Sequence, residues 1–160
     1  MFINRILLQT IQEKIAPGKA VILLGPRQSG KSTILDQIAR HSTLRVRRLD
    51  CDDASVRMRL EVQVLPNLIQ VVGDAELLLI DEAQRVKNIG LTLKIISDHL
   101  KSVRLVVSGS SSFELSNQIN EPLTGRKWEY TLLPFSTYEM VLHHGSFEEN
   151  RRLSQRLMFG

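Results

Sequence analysis

Three short segments of the chain are apolar at every position, and they constrain the fold more than any other feature. They are residues 20–24, 77–80 and 105–107. A strand with one face in water alternates apolar and polar residues, whereas a strand covered on both faces has no such alternation. The three segments therefore predict strands inside a mainly parallel sheet with helices on both faces.

Segments with a helical spacing of apolar residues separate these strands. Residues 31–40 and 91–100 each predict one helix, and residues 56–72 predict a helical region divided at Pro66. A further amphipathic helix precedes the first strand and ends at Pro17. The alternation of strands and helices predicts a three-layer α/β sandwich with right-handed crossovers.

Two weaker strands complete the predicted sheet. Residues 44–49 carry Arg45 and Arg47 at alternate positions, and charged side chains are typical of an edge strand. Residues 127–132 predict a fifth strand. The sequence STYE at 136–139 has the spacing of a capping box, which indicates that a helix begins there.

The length of 160 residues, with 42% of them hydrophobic, suits a single domain with one well-packed core. We expect that domain to span residues 1–145. Residues 146–160 are mostly polar and then end on apolar residues. We interpret them as the start of a truncated C-terminal segment that continues in the natural protein.

Charge, cysteine content and the length of the aliphatic runs indicate which ligands and which cell compartment suit the chain. The 21 Lys and Arg residues against 17 Asp and Glu residues give a net charge of +4, which suits a nucleoside triphosphate or a nucleic acid. Cys51 is the single cysteine, so no disulfide forms within the chain, and we expect it to be a buried apolar residue in a protein of the reducing cytoplasm. Uninterrupted aliphatic runs are far shorter than the roughly 18 residues of a membrane helix.

The segment after the first predicted strand reads GPRQSGKST and fits the pattern G-x-x-x-x-G-K-S/T. Its glycines let successive backbone N–H groups face phosphate oxygens at the start of a helix. The ammonium group of Lys31 suits the β- and γ-phosphates, and the hydroxyl of Ser32 suits Mg²⁺. This predicts a phosphate-binding loop made of Gly25, Pro26, Arg27, Gln28, Ser29, Gly30, Lys31, Ser32 and Thr33. For Arg27 and Gln28 the alternative is an exposed position without contact to the nucleotide.

An acidic pair follows the apolar strand at 77–80. Asp81 and Glu82 are predicted to emerge at the carboxyl edge of the sheet, where the phosphate-binding loop also begins. Asp81 suits a role in holding Mg²⁺ together with Ser32. Glu82 suits the activation of an attacking water, which contributes roughly 10²- to 10⁴-fold in rate when a general base acts. Hydrolysis is therefore favoured over transfer to a substrate hydroxyl.

Two further polar residues are catalytic candidates. Ser108 ends the strand at 105–107 at the same edge, where it suits a contact with the γ-phosphate or the attacking water, although a turn would also use serine and glycine. Arg126 precedes the fifth strand, where an arginine suits stabilisation of the charge on a transferring phosphoryl group. Its alternative is a solvated arginine after a helix that Gly125 ends.

The sequence resembles the AAA-like ATPase domains of bacteria and archaea that precede a C-terminal domain of unknown function. The matching segments are GPRQSGKST, LDCDD, LLLIDEAQR, VVSGSSSFELS and EPLTGRKWEYTLLPFSTYE, which extend over residues 18–140. The resemblance implies a P-loop NTPase fold with a five-stranded sheet, a central phosphate-loop strand and the arginine-bearing strand at an edge. It also implies ATP, Mg²⁺, the roles given above and a polar contact from Arg126.

The chain departs from this family in one respect, since the helical and effector portions that normally follow are missing. The expected function is that of an ATP-hydrolysing nucleotide switch whose cycle drives the missing region, with slow turnover in isolation and a homo-oligomer as a possible assembly. Whether Arg126 would act on its own nucleotide or on that of a neighbour stays open.

Two alternatives belong to other functional classes. A nucleotide or small-molecule kinase would need a basic lid, and no arginine-rich insertion stands between the later strands. A nucleic-acid-binding module would use ATP only as a structural ligand, but the basic cluster lacks interleaved aromatic residues for base stacking. That cluster consists of Arg40, Arg45, Arg47, Arg48, Arg57 and Arg59.

Overall fold

In a computed structural model, five parallel strands form one sheet in the order β2-β3-β4-β1-β5. The structure describes residues 5–110 and 117–159, with the side chains of 154–157 and 159 left out of the description. The strands are β1 Ala20–Leu24, β2 Val46–Asp50, β3 Leu77–Asp81, β4 Arg104–Gly109 and β5 Lys127–Thr131. The α/β prediction is confirmed, and the sheet is parallel throughout rather than mainly so.

Helices cover both faces of this sheet. The described helices are α1 Ile6–Lys14, α2 Lys31–His41, α3 Ala54–Glu61, α4 Leu65–Val72, α5 Ile89–His99, α6 Thr137–His144 and α7 Ser146–Phe159. A short 3₁₀ helix follows β3 at Ala83–Arg85. Helices α1 and α2 pack on one face, and helices α3, α4 and α5 pack on the other. None of the helices in the described part of the chain is long and apolar enough to cross a membrane.

Strand β1 shows why the apolar segments carry no alternation. All five of its residues are buried. Ile22 faces the core formed with α3, α4 and α5, whereas Val21 faces the core formed with α1 and α2. Burial of each such side chain stabilises the fold by roughly 1.5–3 kcal/mol, so the strand is held from both sides. The predicted burial of this strand on both faces is confirmed.

The arginine-bearing strand β2 lies at an edge of the sheet, as predicted. Arg45 pairs with Asp74 and Glu76 outside the sheet, and Arg47 donates a hydrogen bond to the carbonyl of Val71 at 2.8 Å. The expectation of a central phosphate-loop strand is corrected. Strand β1 is fourth of the five and has only β5 beyond it, so β4 is the middle strand.

The break between α3 and α4 also differs from the prediction. It falls at residues 62–64, and Pro66 lies inside the first turn of α4. Proline suits that turn because its missing N–H would have no helical partner there. Asn67 stabilises the connection between the two helices, because its Nδ2 donates hydrogen bonds to the carbonyls of Arg59 and Val62 at 2.7 and 2.8 Å.

The predicted capping box begins helix α6. Ser136 accepts a hydrogen bond from the Glu139 N–H at 3.2 Å, and Glu139 accepts one from the Ser136 N–H at 2.9 Å. Gly145 alone separates α6 from α7. A domain boundary at this point stays a prediction.

Candidate nucleotide site

The carboxyl ends of β1, β3 and β4 lie side by side. Strands β1 and β4 are in register from Ala20 and Leu105 to Leu24 and Gly109, and β3 pairs with the other side of β4. At the end of each of these three strands lies a segment in which the sequence predicts site residues. These segments are the loop at 25–30, the acidic pair at 81–82 and Ser108.

Glycine is required at two positions of the loop for different reasons. A Cβ atom on Gly25 would lie 2.3 Å from the carbonyl oxygen of Leu132, so no side chain fits there. Gly30 precedes α2 with a φ of 92°, a left-handed conformation that favours glycine. The loop therefore approaches the segment after β5 closely and then turns into α2.

Lys31 is the first residue of α2, and only 4% of it is exposed. Its Nζ donates to the carbonyls of Gly25 and Pro26 at 3.0 and 2.7 Å, so the ammonium group lies over the loop. Burial lowers the pKa of Lys31, and the nearby charges of Glu82 and Asp81 oppose that shift. Two carboxylates on the same edge thus favour the cationic form that phosphate binding needs.

The remaining loop residues divide into buried and exposed groups. Ser29 is buried, and its Oγ has no hydrogen-bond partner within the described chain. A buried hydroxyl without a partner costs roughly 1–3 kcal/mol, which a phosphate oxygen would offset. Arg27 and Gln28 are exposed and Thr33 is half-buried in α2, and whether any of the three contacts a nucleotide stays a prediction.

Asp81 ends β3 with only 2% of the residue exposed. Ser108 donates to its Oδ1, and the guanidinium of Arg48 donates to its Oδ2 at 2.8 Å. Burial opposes ionisation, but hydrogen bonds from Ser108, Ser32 and Arg48 outweigh it and lower the pKa of Asp81. Asp81 is therefore an anion at neutral pH, held beside the hydroxyl of Ser32.

Glu82 follows in a left-handed conformation, with a φ of 53°. Its N–H group donates to Asp81 Oδ1 at 3.1 Å and to Ser108 Oγ at 3.3 Å. These contacts fix the backbone that carries the carboxylate. Its Oε2 in turn accepts a hydrogen bond from Gln84 Nε2 at 2.6 Å.

The donor set fits Mg²⁺ bound together with a nucleotide. The described residues contain no group of three His, Cys, Asp or Glu side chains that could hold a metal alone. Mg²⁺ typically takes one or two protein oxygens and completes its octahedron with water and phosphate oxygens. Ser32 and Asp81, which lie close enough for Ser32 to lower the pKa of Asp81, supply the two protein oxygens that this arrangement needs.

Arg126 does not join these residues. It precedes β5 beside the start of β1, and its guanidinium pairs with Asp98 of α5. Because all strands are parallel, this is the amino edge of the sheet, about 16 Å along a five-residue strand from the carboxyl edge. Of the two possibilities left open for Arg126, contact with the nucleotide of its own chain does not fit this placement, and contact with the nucleotide of a neighbour stays a prediction.

Two residues at the site were missed by the sequence interpretation. Arg48 reaches Asp81 from β2, and Gln84 reaches Glu82 from the 3₁₀ helix. Arg48 stood out only as a third arginine beside two that marked an edge strand. Residues 111–116, part of one family-like segment, lie outside the described residues.

Known structures match this chain over most of its length. A katanin structure, described in terms of katanin self-assembly, has a TM-score of 0.61 and 18% sequence identity, and the match covers 86% of this chain and 54% of that one. A DNA replication initiation factor has a TM-score of 0.52 and 12% identity, with coverage of 86% and 46%. These likenesses show the fold, and the chain spans about half the length of both structures.

The sequence itself places the chain in a family. No curated protein matches it significantly. A family model described as an AAA domain matches residues 17–141, which include all five strands and every residue of the site at the carboxyl edge. With the phosphate-binding loop, the acidic pair and Ser108 near the end of β4 assembled on one edge of the sheet, this chain belongs to the AAA domain family.

Proposed function

We propose that this chain binds and hydrolyses ATP with Mg²⁺ and is the nucleotide switch of a longer protein. One observation carries the proposal. Lys31, Ser32 and Asp81 meet at the carboxyl edge of the sheet, where Ser32 contributes to lowering the pKa of Asp81 and the charge of Asp81 acts on Lys31. A cation, a hydroxyl and a carboxylate in this arrangement suit the phosphates of a nucleotide and its metal ion.

Each residue has one proposed role. Lys31 binds the β- and γ-phosphates, and Ser32 and Asp81 hold Mg²⁺, which neutralises charge on the phosphates when it is bound. Glu82 is beside this group but not buried with it, so its carboxylate is available to take a proton from water. Ser108 orients Asp81 through its hydroxyl and is close enough to the Glu82 N–H to order the turn.

The alternative of a nucleic-acid-binding module has little support. Arg45, Arg47, Arg48 and Arg57 of the basic cluster are all engaged by carboxylates or carbonyls of their own chain. A cation that already has a carboxylate partner, as Arg45 and Arg48 do, releases fewer counterions when it binds a phosphate backbone. The kinase alternative also has little support. A glutamate directly after Asp81 suits the activation of water, so it favours transfer of the phosphoryl group to water over transfer to a substrate hydroxyl.

We also propose the cell compartment and the assembly of the protein. A single free and buried cysteine, Cys51, suits the reducing cytoplasm, and burial raises its pKa to about 12, which keeps the thiol protonated. An AAA fold shared with a katanin structure described by its self-assembly supports a homo-oligomer. We further propose that an effector region beyond residue 160 uses the energy of hydrolysis.

The decisive experiment compares ATP affinity and ATPase turnover in the wild type, Lys31→Ala and Glu82→Gln. We expect Lys31→Ala to lose ATP binding, because no other buried cation lies over the loop among the described residues. We expect Glu82→Gln to bind ATP as the wild type does and to lose turnover. Unchanged affinity in Lys31→Ala would contradict the nucleotide site, and unchanged turnover in Glu82→Gln would contradict the role of Glu82 in hydrolysis.

A further inference from the structure

The side chain of Gln84 joins the ends of two strands at the candidate site. Its Nε2 donates to Glu82 Oε2 at 2.6 Å and to Ser110 Oγ at 2.7 Å. Its Oε1 accepts a hydrogen bond from the Ser110 N–H at 3.2 Å. Ser110 directly follows β4, whereas Glu82 directly follows β3, so one amide connects both carboxyl ends.

The chemistry of the partners fixes the orientation of this amide. A backbone N–H only donates, so the Gln84 oxygen must face Ser110 N. An ionised carboxylate only accepts, so the Gln84 nitrogen must face Glu82. Both requirements are met at once, and both hydrogens of Nε2 are used. A reversed amide would lose the bond to the carboxylate and the bond to Ser110 N together.

From this geometry we propose that Gln84 is a positioning residue for hydrolysis. It holds the carboxylate of Glu82 in one orientation and couples that orientation to the position of Ser110. This inference rests on the proposed function, since it assumes that the Glu82 carboxylate takes a proton from the attacking water. A base displaced by about 1 Å loses up to roughly 10²-fold in rate, so the orientation has a direct kinetic consequence.

Glu82 has no other side-chain partner of this kind among the contacts described around it. Its backbone is held by Asp81 and Ser108, but the carboxylate is held by Gln84. Loss of the Gln84 amide should therefore free the carboxylate and leave the loop residues that bind the nucleotide in place. The expected signature is a fall in turnover without a change in ATP affinity.

The test measures ATP affinity, turnover number and melting temperature in the wild type, Gln84→Ala and Gln84→Met. Methionine keeps the length of the side chain but makes none of the three hydrogen bonds, so it also tests the role if alanine fails to fold. We expect both variants to bind ATP within about twofold of the wild type and to turn over about 10- to 100-fold more slowly. Gln63→Ala is the matched control, since that glutamine makes three hydrogen bonds, to Lys87, Asn88 and Thr92, away from the site.

A second arm uses Glu82→Asp, which keeps a carboxylate but shortens it beyond the reach of Gln84. Adding Gln84→Ala to this variant should change its residual turnover less than about twofold, because the two residues act as a unit. Equal slowing by Gln84→Ala in both backgrounds, wild-type turnover in Gln84→Ala and Gln84→Met, or equal slowing by Gln63→Ala would each overturn the inference. If Glu82→Gln turns over as the wild type does, the proposed role of Glu82 fails first and this inference fails with it.

Discussion

Two buried carboxylates in this protein are each paired with an arginine, but their surroundings differ. Asp81 receives the guanidinium of Arg48, whose side chain is 33% exposed, together with hydroxyl groups from Ser108 and Ser32. Glu139 receives the guanidinium of Arg5, whose side chain is 5% exposed, together with backbone N–H groups of Ser136 and Ile6. The first pair opens to solvent and the second is closed.

The difference indicates which pair can exchange its cation. Arg48 comes from an edge strand and also pairs with Asp36, so Arg48 would keep a partner if Mg²⁺ took its place beside Asp81. Arg5 lies against the ring of Phe135 at 4.3 Å and donates to the carbonyl of Leu133, which holds it between α1 and α6. The open pair suits a binding site, and the closed pair suits the attachment of two helices.

The largest expected effect of a substitution is on the closed pair. Arg5→Ala should leave Glu139 buried without its counter-charge and lower the free energy of unfolding by about 3 kcal/mol. Urea unfolding measures the change, and Arg45→Ala is the control because its pairs are largely exposed. A loss no larger than that of Arg45→Ala would mean that the closed pair does not attach α1 to α6.

A smaller loss of stability is expected from the open pair. In Arg48→Ala, Asp81 keeps its hydrogen bonds from Ser108 and Ser32, so the free energy of unfolding should fall by about 1 to 2 kcal/mol. ATP affinity should change in Arg48→Ala and stay constant in Arg5→Ala. The comparison breaks down if both variants lose the same stability and bind ATP equally well.

A smaller change in the free energy of unfolding is expected when the pH is lowered. In both Asp81 and Glu139 burial opposes ionisation, but hydrogen bonds and the arginine outweigh it and lower the pKa. A carboxyl with a lowered folded-state pKa stabilises the fold fully above its ordinary pKa, and that stabilisation is lost as the pH falls through the folded-state value. Urea unfolding between about pH 7 and pH 3 should show a constant stability down to about pH 5 and a fall below it. Glu139→Gln should flatten that fall, and an unchanged slope would show that Glu139 does not contribute.

The smallest effect is expected at the opposite edge of the sheet. Arg126 and Asp98 form a pair with side chains 47% and 32% exposed, and exposed pairs contribute about 0–1 kcal/mol. Arg126→Ala should therefore leave stability within about 1 kcal/mol of the wild type and leave ATP affinity and turnover of a single chain unchanged. A large loss of turnover in a monomeric preparation would contradict the placement of Arg126 at the amino edge.

The parts of the fold that depend on local pattern could be predicted from the sequence. The apolar segments at 20–24 and 77–80, the arginines that mark β2 as an edge strand and the capping box at Ser136 are each specified by neighbouring residues, and each is confirmed. The glycines of the phosphate-binding loop could also be predicted from neighbouring residues. Their requirements, a positive φ at Gly30 and a close contact at Gly25, follow from a short motif.

Features that depend on the spatial order of strands could not be predicted in this way. The position of β1 beside β5 and the distance of Arg126 from the loop follow from pairing between segments about 100 residues apart. The bond between Gln84 and Ser110 joins residues 26 apart, and no periodicity in either segment indicates it. Arg48 shows the same limit, since a third arginine beside Arg45 and Arg47 does not indicate the aspartate that it reaches.

The most direct test of the account is the Mg²⁺ dependence of ATP binding in the wild type and in Asp81→Asn, measured by titration calorimetry with Mg²⁺ and with EDTA. Asparagine keeps the size of the side chain and one acceptor oxygen but removes the charge that we propose holds the metal ion. We expect chelation to weaken ATP binding to the wild type on the order of tenfold, or about 1.4 kcal/mol, and to have little effect on Asp81→Asn. An equal effect of chelation on both proteins would contradict a magnesium-dependent nucleotide site at the carboxyl edge of this sheet.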